Sequence, residues 1–132
     1  MFSNMFSCKV LSFTKWIVNR EPVNRRGLVM NRIHRLVVTV KEIRGKCPVF
    51  RVGDRTVIEG PKIVPEKTDA LCAHALGSML SMIIALGRGI SFKELGLTKE
   101  EGNVGYVQCL DPGPPYTSGG TVIFEIRREA ME

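Results

Sequence analysis

Residues 70–87 form a run of eighteen without a single charge, and this run constrains the fold more than any other feature of the chain. Such a run makes either a bilayer-crossing helix of minimal length or a helix packed into the core of a small domain. His74, Ser78, Ser81, Gly77 and Gly87 interrupt its apolar character, and Asp69 and Arg88 flank it closely. A core helix is therefore expected. Thr68 or Asp69 stands where an N-cap oxygen would accept the free amides of a first turn. The sequence Gly87-Arg88-Gly89 supplies a glycine able to end a helix in the left-handed conformation.

The flanking segments read as strands. "HRLVVTVKEI" is rich in β-branched residues and alternates Leu36, Val38 and Val40 with Val37, Thr39 and Lys41. "RTVIEG" is a short second strand, and "PKIVPEK" is extended, because Pro61 and Pro65 exclude helix. After the helix, "SFKELGL" reads as one further helical turn capped by Ser91. "GNVGYVQCL" and "GTVIFEIRR" are two strands joined by the long, proline-bearing loop of residues 111–120. The order β-β-α-β-β predicts an α+β domain over residues 34–129. Its antiparallel sheet has about four strands, with one long helix packed on one face.

A chain of 132 residues suits one domain. Its net charge of +6 suggests a nucleic-acid partner until its distribution is read. Lys9, Lys15, Arg20, Arg25 and Arg26 stand against Glu21 alone in the first thirty residues, so the remainder carries only +2. A domain-wide phosphate-binding face is not indicated. Residues 1–33 are expected to stand apart from the domain. They read as an amphipathic segment (Phe2, Phe6, Val10, Phe13, Ile17) on a membrane surface, as an unstructured extension, or as sequence upstream of a natural start at Met30. No secretory signal accompanies the four widely spaced cysteines, Cys8, Cys47, Cys72 and Cys109, which points to a reducing cytoplasm.

Residues two apart on a helix point about 200° from one another, so Cys72 and His74 within regular helix cannot ligate one ion. Cys72 shares its side with Leu76, Met79, Leu80 and Ile83, expected to face the sheet. His74 shares the polar side with Ser78, Ser81, Ala85 and Arg88. With Asp69 as N-cap, Cys72 would be the third helical residue, where free amides and the helix dipole favour a thiolate. Free cysteine also serves as a small buried hydrophobe. Cys47 and Cys109 each precede a proline closely, where an extended segment gives way to a rigid loop. If the three thiols converge, they would suit zinc or an iron–sulfur cluster, with a fourth ligand. Their separations of 25 and 37 residues match no standard metal motif. Asp69, His74 and Asp111 are the neighbours considered for such a site, and Asp111 reads equally well as a turn residue.

"KCPVFRVGD", "TDALCAHAL" and "YVQCLDPGPPYTSGGTVIFE" together resemble a family of small, uncharacterised single-domain archaeal and bacterial proteins. The resemblance spans about residues 35–128. It rests on a Cys-Pro before a Gly-Asp turn, a cysteine opening the central helix and a cysteine ending the penultimate strand, here Cys47, Cys72 and Cys109. It implies no activity.

Three functional readings follow. The first is a metal-binding or thiol-redox accessory protein using Cys47, Cys72 and Cys109. The second is a non-enzymatic interaction module, for a protein partner or a second copy, because Ala75, Met82 and Leu86 widen the apolar arc of the helix beyond one sheet face. The third is an enzyme with a small-molecule pocket under the 111–120 loop. No Walker loop, dinucleotide fingerprint, nucleophile elbow or His-Glu-x-x-His motif is present.

Overall fold

Alternating burial along one long strand organises the domain. The structure, a computed structural model, describes residues 33–131. The readings made for the N-terminal segment and for Cys8 lie outside them. In β1 (Arg35–Gly45) Leu36, Val38 and Val40 are buried while their neighbours are only partly covered. β1 pairs antiparallel with β2 (Arg55–Glu59) on one side and with β5 (Gly120–Glu129) on the other. A two-residue strand, β3 (Lys62–Ile63), extends the sheet beyond β2, and β4 (Val104–Gln108) closes the far edge against β5. The antiparallel sheet thus has five strands in the order β3-β2-β1-β5-β4, one more than expected. The extra strand lies in the "PKIVPEK" segment, whose Pro65–Lys67 portion turns as a short 3-10 helix rather than staying extended.

One helix, α1 (Ala73–Gly87), packs on one face of this sheet among the described residues. It buries Ala75, Met79, Ile83 and Leu86 against Leu36, Val38, Val40, Val122, Phe124 and Ile126. Phe50 covers one end of this core and meets the Phe124 ring edge-on, with centroids 5.3 Å apart. Phe92 seals another part, fully buried over Gly105 of β4, where any Cβ would strike its ring.

Three local expectations are corrected. The helix begins four residues later than Asp69, with Cys72 as its N-cap in extended conformation. Asp69 instead accepts the Arg55 amide at 2.9 Å, and Thr68 accepts the Val57 amide at 3.2 Å, so both tie the approaching segment to β2. Residues 91–97 form a turn and not a helix, although Ser91 Oγ does accept the amides of Lys93 and Glu94. Leu80, assigned to the sheet-facing side, is 55% exposed. The end of α1 follows the expected form: Arg88 is the C-cap, and Gly89 takes a left-handed φ of +93°. Arg128 of β5 lies 5.3 Å over the Phe92 ring and donates to the carbonyls of Leu86 and Ile90, tying β5 to the end of α1 and the turn after it.

The opposite face of the sheet is charged and paired across strands. Arg35 bonds Glu59 at 2.7 Å, and Lys41 reaches Glu125 at 3.3 Å. The Arg35 hydrogen bond holds the Glu59 carboxyl below its ordinary range. No described helix is long and apolar enough to cross a membrane.

Candidate functional site

The three described cysteines belong to one hydrophobic cluster. Cys109 is buried within it, and Cys47 and Cys72 are half-buried against its edge. Cys109 directly follows β4, on the side of Val107 that faces the helix, and its amide donates to Val122. Cys47 turns its sulfur back onto its own loop, where it accepts the Phe50 amide at 3.3 Å. Cys72 sits at the helix start beside Phe50, Ala75, Leu76 and Met79, and makes no side-chain capping bond. Among the described residues no three or more His, Cys, Asp or Glu side chains are grouped so that they could hold a metal ion.

Asp111 has a well-defined structural task. Its carboxylate accepts the Gly113 amide at 2.8 Å and a short hydrogen bond from the Thr117 hydroxyl. These two bonds, assisted by the Gly120 amide and the nearby His74, hold its carboxyl below the ordinary range. Asp111 thus fastens both ends of the proline loop, which contains a cis Pro114-Pro115 bond. The loop closes tightly against the end of β1, where Gly45 pairs with Gly120. A Cβ on Gly120 would lie 2.5 Å from the Arg44 carbonyl oxygen and the Lys46 amide nitrogen. Of the proposed neighbours, Asp111 is engaged by its own loop and Asp69 is held on β2.

A cleft of about 460 Å³ lies beside this loop, lined by Arg44, Gly45, Gln108, Pro112, Pro114 and Thr121. No carboxylate, imidazole or thiol lines it, and Arg44 is paired with Glu42 at 2.7 Å. This lining offers neither an acid–base pair nor an activated nucleophile. The Thr121 hydroxyl is buried without a hydrogen-bond partner.

The most unusual surface is the outer side of α1. At 100° per residue, Ile84 points about 140° and Gly77 about 160° away from Met79, the centre of the buried stripe. Ile84 is 64% exposed, and Ala73, His74, Gly77, Leu80 and Ser81 share the outward side with it. Leu71 and Leu110, also exposed, stand near the helix start, with Leu110 in contact range of Gly77. A groove of about 160 Å³, formed by Ile33, Gly60, Pro61 and the helix, runs beside Ile84. Sequence reasoning assigned the surplus apolar residues wrongly: Ala75 and Leu86 are core, whereas Leu80 and Ile84 are the surplus. The signal that finds them is the absence of charge on every side of a helix with only one face to bury.

Comparison with known protein families, with curated proteins and with solved structures finds no match.

Proposed function

We propose that this chain is a non-enzymatic protein-interaction module whose working surface is the outer side of α1, and whose cysteines are structural. The observation that carries this reading is the exposure of Leu80 and Ile84 on a helix with no charged residue. A solvated helix face ordinarily carries charge, and a contiguous apolar strip left open is a hallmark of a binding surface. The contrast within the same domain supports it, since the open face of the sheet is covered with ion pairs. The thiols support it too: each lies in or against the core, as small hydrophobic side chains do.

The test places a photo-cross-linking amino acid at position 80 or 84 of the full chain, in cells that make it naturally, with exposed Lys99 as the control position. Discrete cross-linked products from 80 and 84, absent from 99, are expected. Products equally strong from all three positions, or none from 80 and 84, would remove the interaction reading.

A further inference from the structure

We propose that the occupant of this surface is a second copy of the same chain, its α1 lying antiparallel across a twofold axis near Leu80. This rests on the interaction reading above and goes beyond it by naming the partner and its register. The first argument is size. Along the outward side the residues run Ala73, Gly77, Leu80, Ile84 and Gly87, spaced four, three, four and three apart. That spacing is the seam of a paired helix, and the side chains are small at both ends and large in the middle. An antiparallel pair centred beside Leu80 sets Ile84 of one copy over Gly77 of the other, twice, by symmetry. Gly77 is open for this: a Cβ there would meet nothing nearer than the tip of Leu110 at 3.8 Å. Ala73 then meets Gly87 of the other copy, and Leu80 meets its own equivalent. Ile84 thus falls on a glycine in both halves while Leu80 packs on Leu80 at the axis, and the helices can approach within the range of about 8–10 Å usual for packed helices.

The second argument is charge. The helix is preceded by Asp69 and followed by Arg88, both exposed, with nothing charged between them. Antiparallel pairing directs the Arg88 end of each copy toward the segment of the other that carries Asp69, which the Arg55 amide holds on β2. Parallel pairing would set Arg88 beside Arg88 and Asp69 beside Asp69. The third argument is extent. A specific interface needs about 1,000 Å² of buried surface, so a seam of fifteen-residue helices needs apolar surface beyond its own length. Exposed Leu71 and Leu110 lengthen the apolar strip, and the groove at Ile33 and Pro61 receives what overhangs Ile84.

Sedimentation velocity of the purified full chain over a wide concentration range tests this. The wild type is expected to be a dimer that dissociates on dilution. Leu80→Lys and the milder Leu80→Ser should both sediment as monomers with unchanged far-UV circular dichroism. The register is tested by mixing variants that are monomeric alone. Ile84→Lys with Gly77→Glu should recover a heterodimer, and Ile84→Lys with Ile84→Glu should not. Recovery by the second mixture and not the first would overturn the antiparallel arrangement. A wild type that is monomeric at every concentration would overturn the second copy as occupant. In that case, position-80 and position-84 cross-links to a different protein would leave the interaction reading standing, and cross-links to residues 1–32 of the same chain would assign the face to that segment.

Discussion

Single residues in this domain show why a polar group close to thiols need not be catalytic. Asp111 lies two residues beyond Cys109, and a reading by proximity makes it a ligand or an orienting base. Its Oδ1 accepts both the Thr117 hydroxyl and the Gly113 amide, which makes it a fastener of its own loop. Those bonds favour the ionised form, so the folded carboxyl titrates below the ordinary value of about 4. The sign of the pH effect follows. The contribution is complete above the unfolded-state value, declines as pH falls below it, and is lost once pH passes through the depressed folded value. Amide exchange at Gly113 and Gly120 should therefore quicken on acidification below about pH 4, beyond the intrinsic pH effect on exchange. In Asp111→Ala the same amides should already exchange fast at neutral pH, with no further acid-dependent loss. Protection that is equal in both proteins at neutral pH would show that the loop holds without its carboxylate.

At the scale of elements, hydrophobic pattern and local geometry separate what the sequence discloses from what it hides. The inward side of β1 was legible because Leu36, Val38 and Val40 alternate with less apolar neighbours, and the same alternation placed Cys109 beside Val107. The start of α1 was not legible, because the carboxylate that looks like a cap is claimed by Arg55, fourteen residues away in sequence. β3 was hidden for a similar reason: two residues become a strand only by pairing with Ile58 and Glu59. The facing of α1 differs because helical spacing was counted from Cys72, which is the extended N-cap and not part of the helix, whereas a stripe centred on Met79 leaves Leu80 about 100° round the axis. Of the candidate site, the exposed Leu80–Ile84 strip was not legible, because spacing counted from Cys72 put Leu80 on the covered side. Two substitutions measure the corrected orientation. Met79→Ala should cost roughly 2–5 kcal/mol, because a side chain only 3% exposed leaves a cavity. Leu80→Ala, measured on dilute monomer by urea unfolding, should change stability by less than about 0.5 kcal/mol. A reversal of these two costs would turn the helix back to the side first expected.

The whole molecule explains why its thiols suit packing. Among the described residues one sheet face is closed by a single helix and the other carries ion pairs, so their core is thin. A domain this small holds a net stability of only about 5–15 kcal/mol, and each member of that core counts. Cys109 is 9% exposed between the end of β4 and the first residues of β5, where it packs with Val122 and its cluster. If the sulfur acts only as a small hydrophobe, its replacement should follow polarity. Cys109→Ala keeps an apolar group and should remain folded with a modest loss. Cys109→Ser buries a hydroxyl of similar size, and if no partner is in reach it should cost a further ~1–3 kcal/mol. In the native wild type a thiol reagent should reach Cys47 and Cys72, both half-buried, before Cys109, and unfolding in urea should remove the difference. A chelator should alter neither the order of labelling nor the unfolding midpoint. Reactivity of all three thiols that rises together on adding chelator would instead mean that they share an ion, and would return the metal reading to first place.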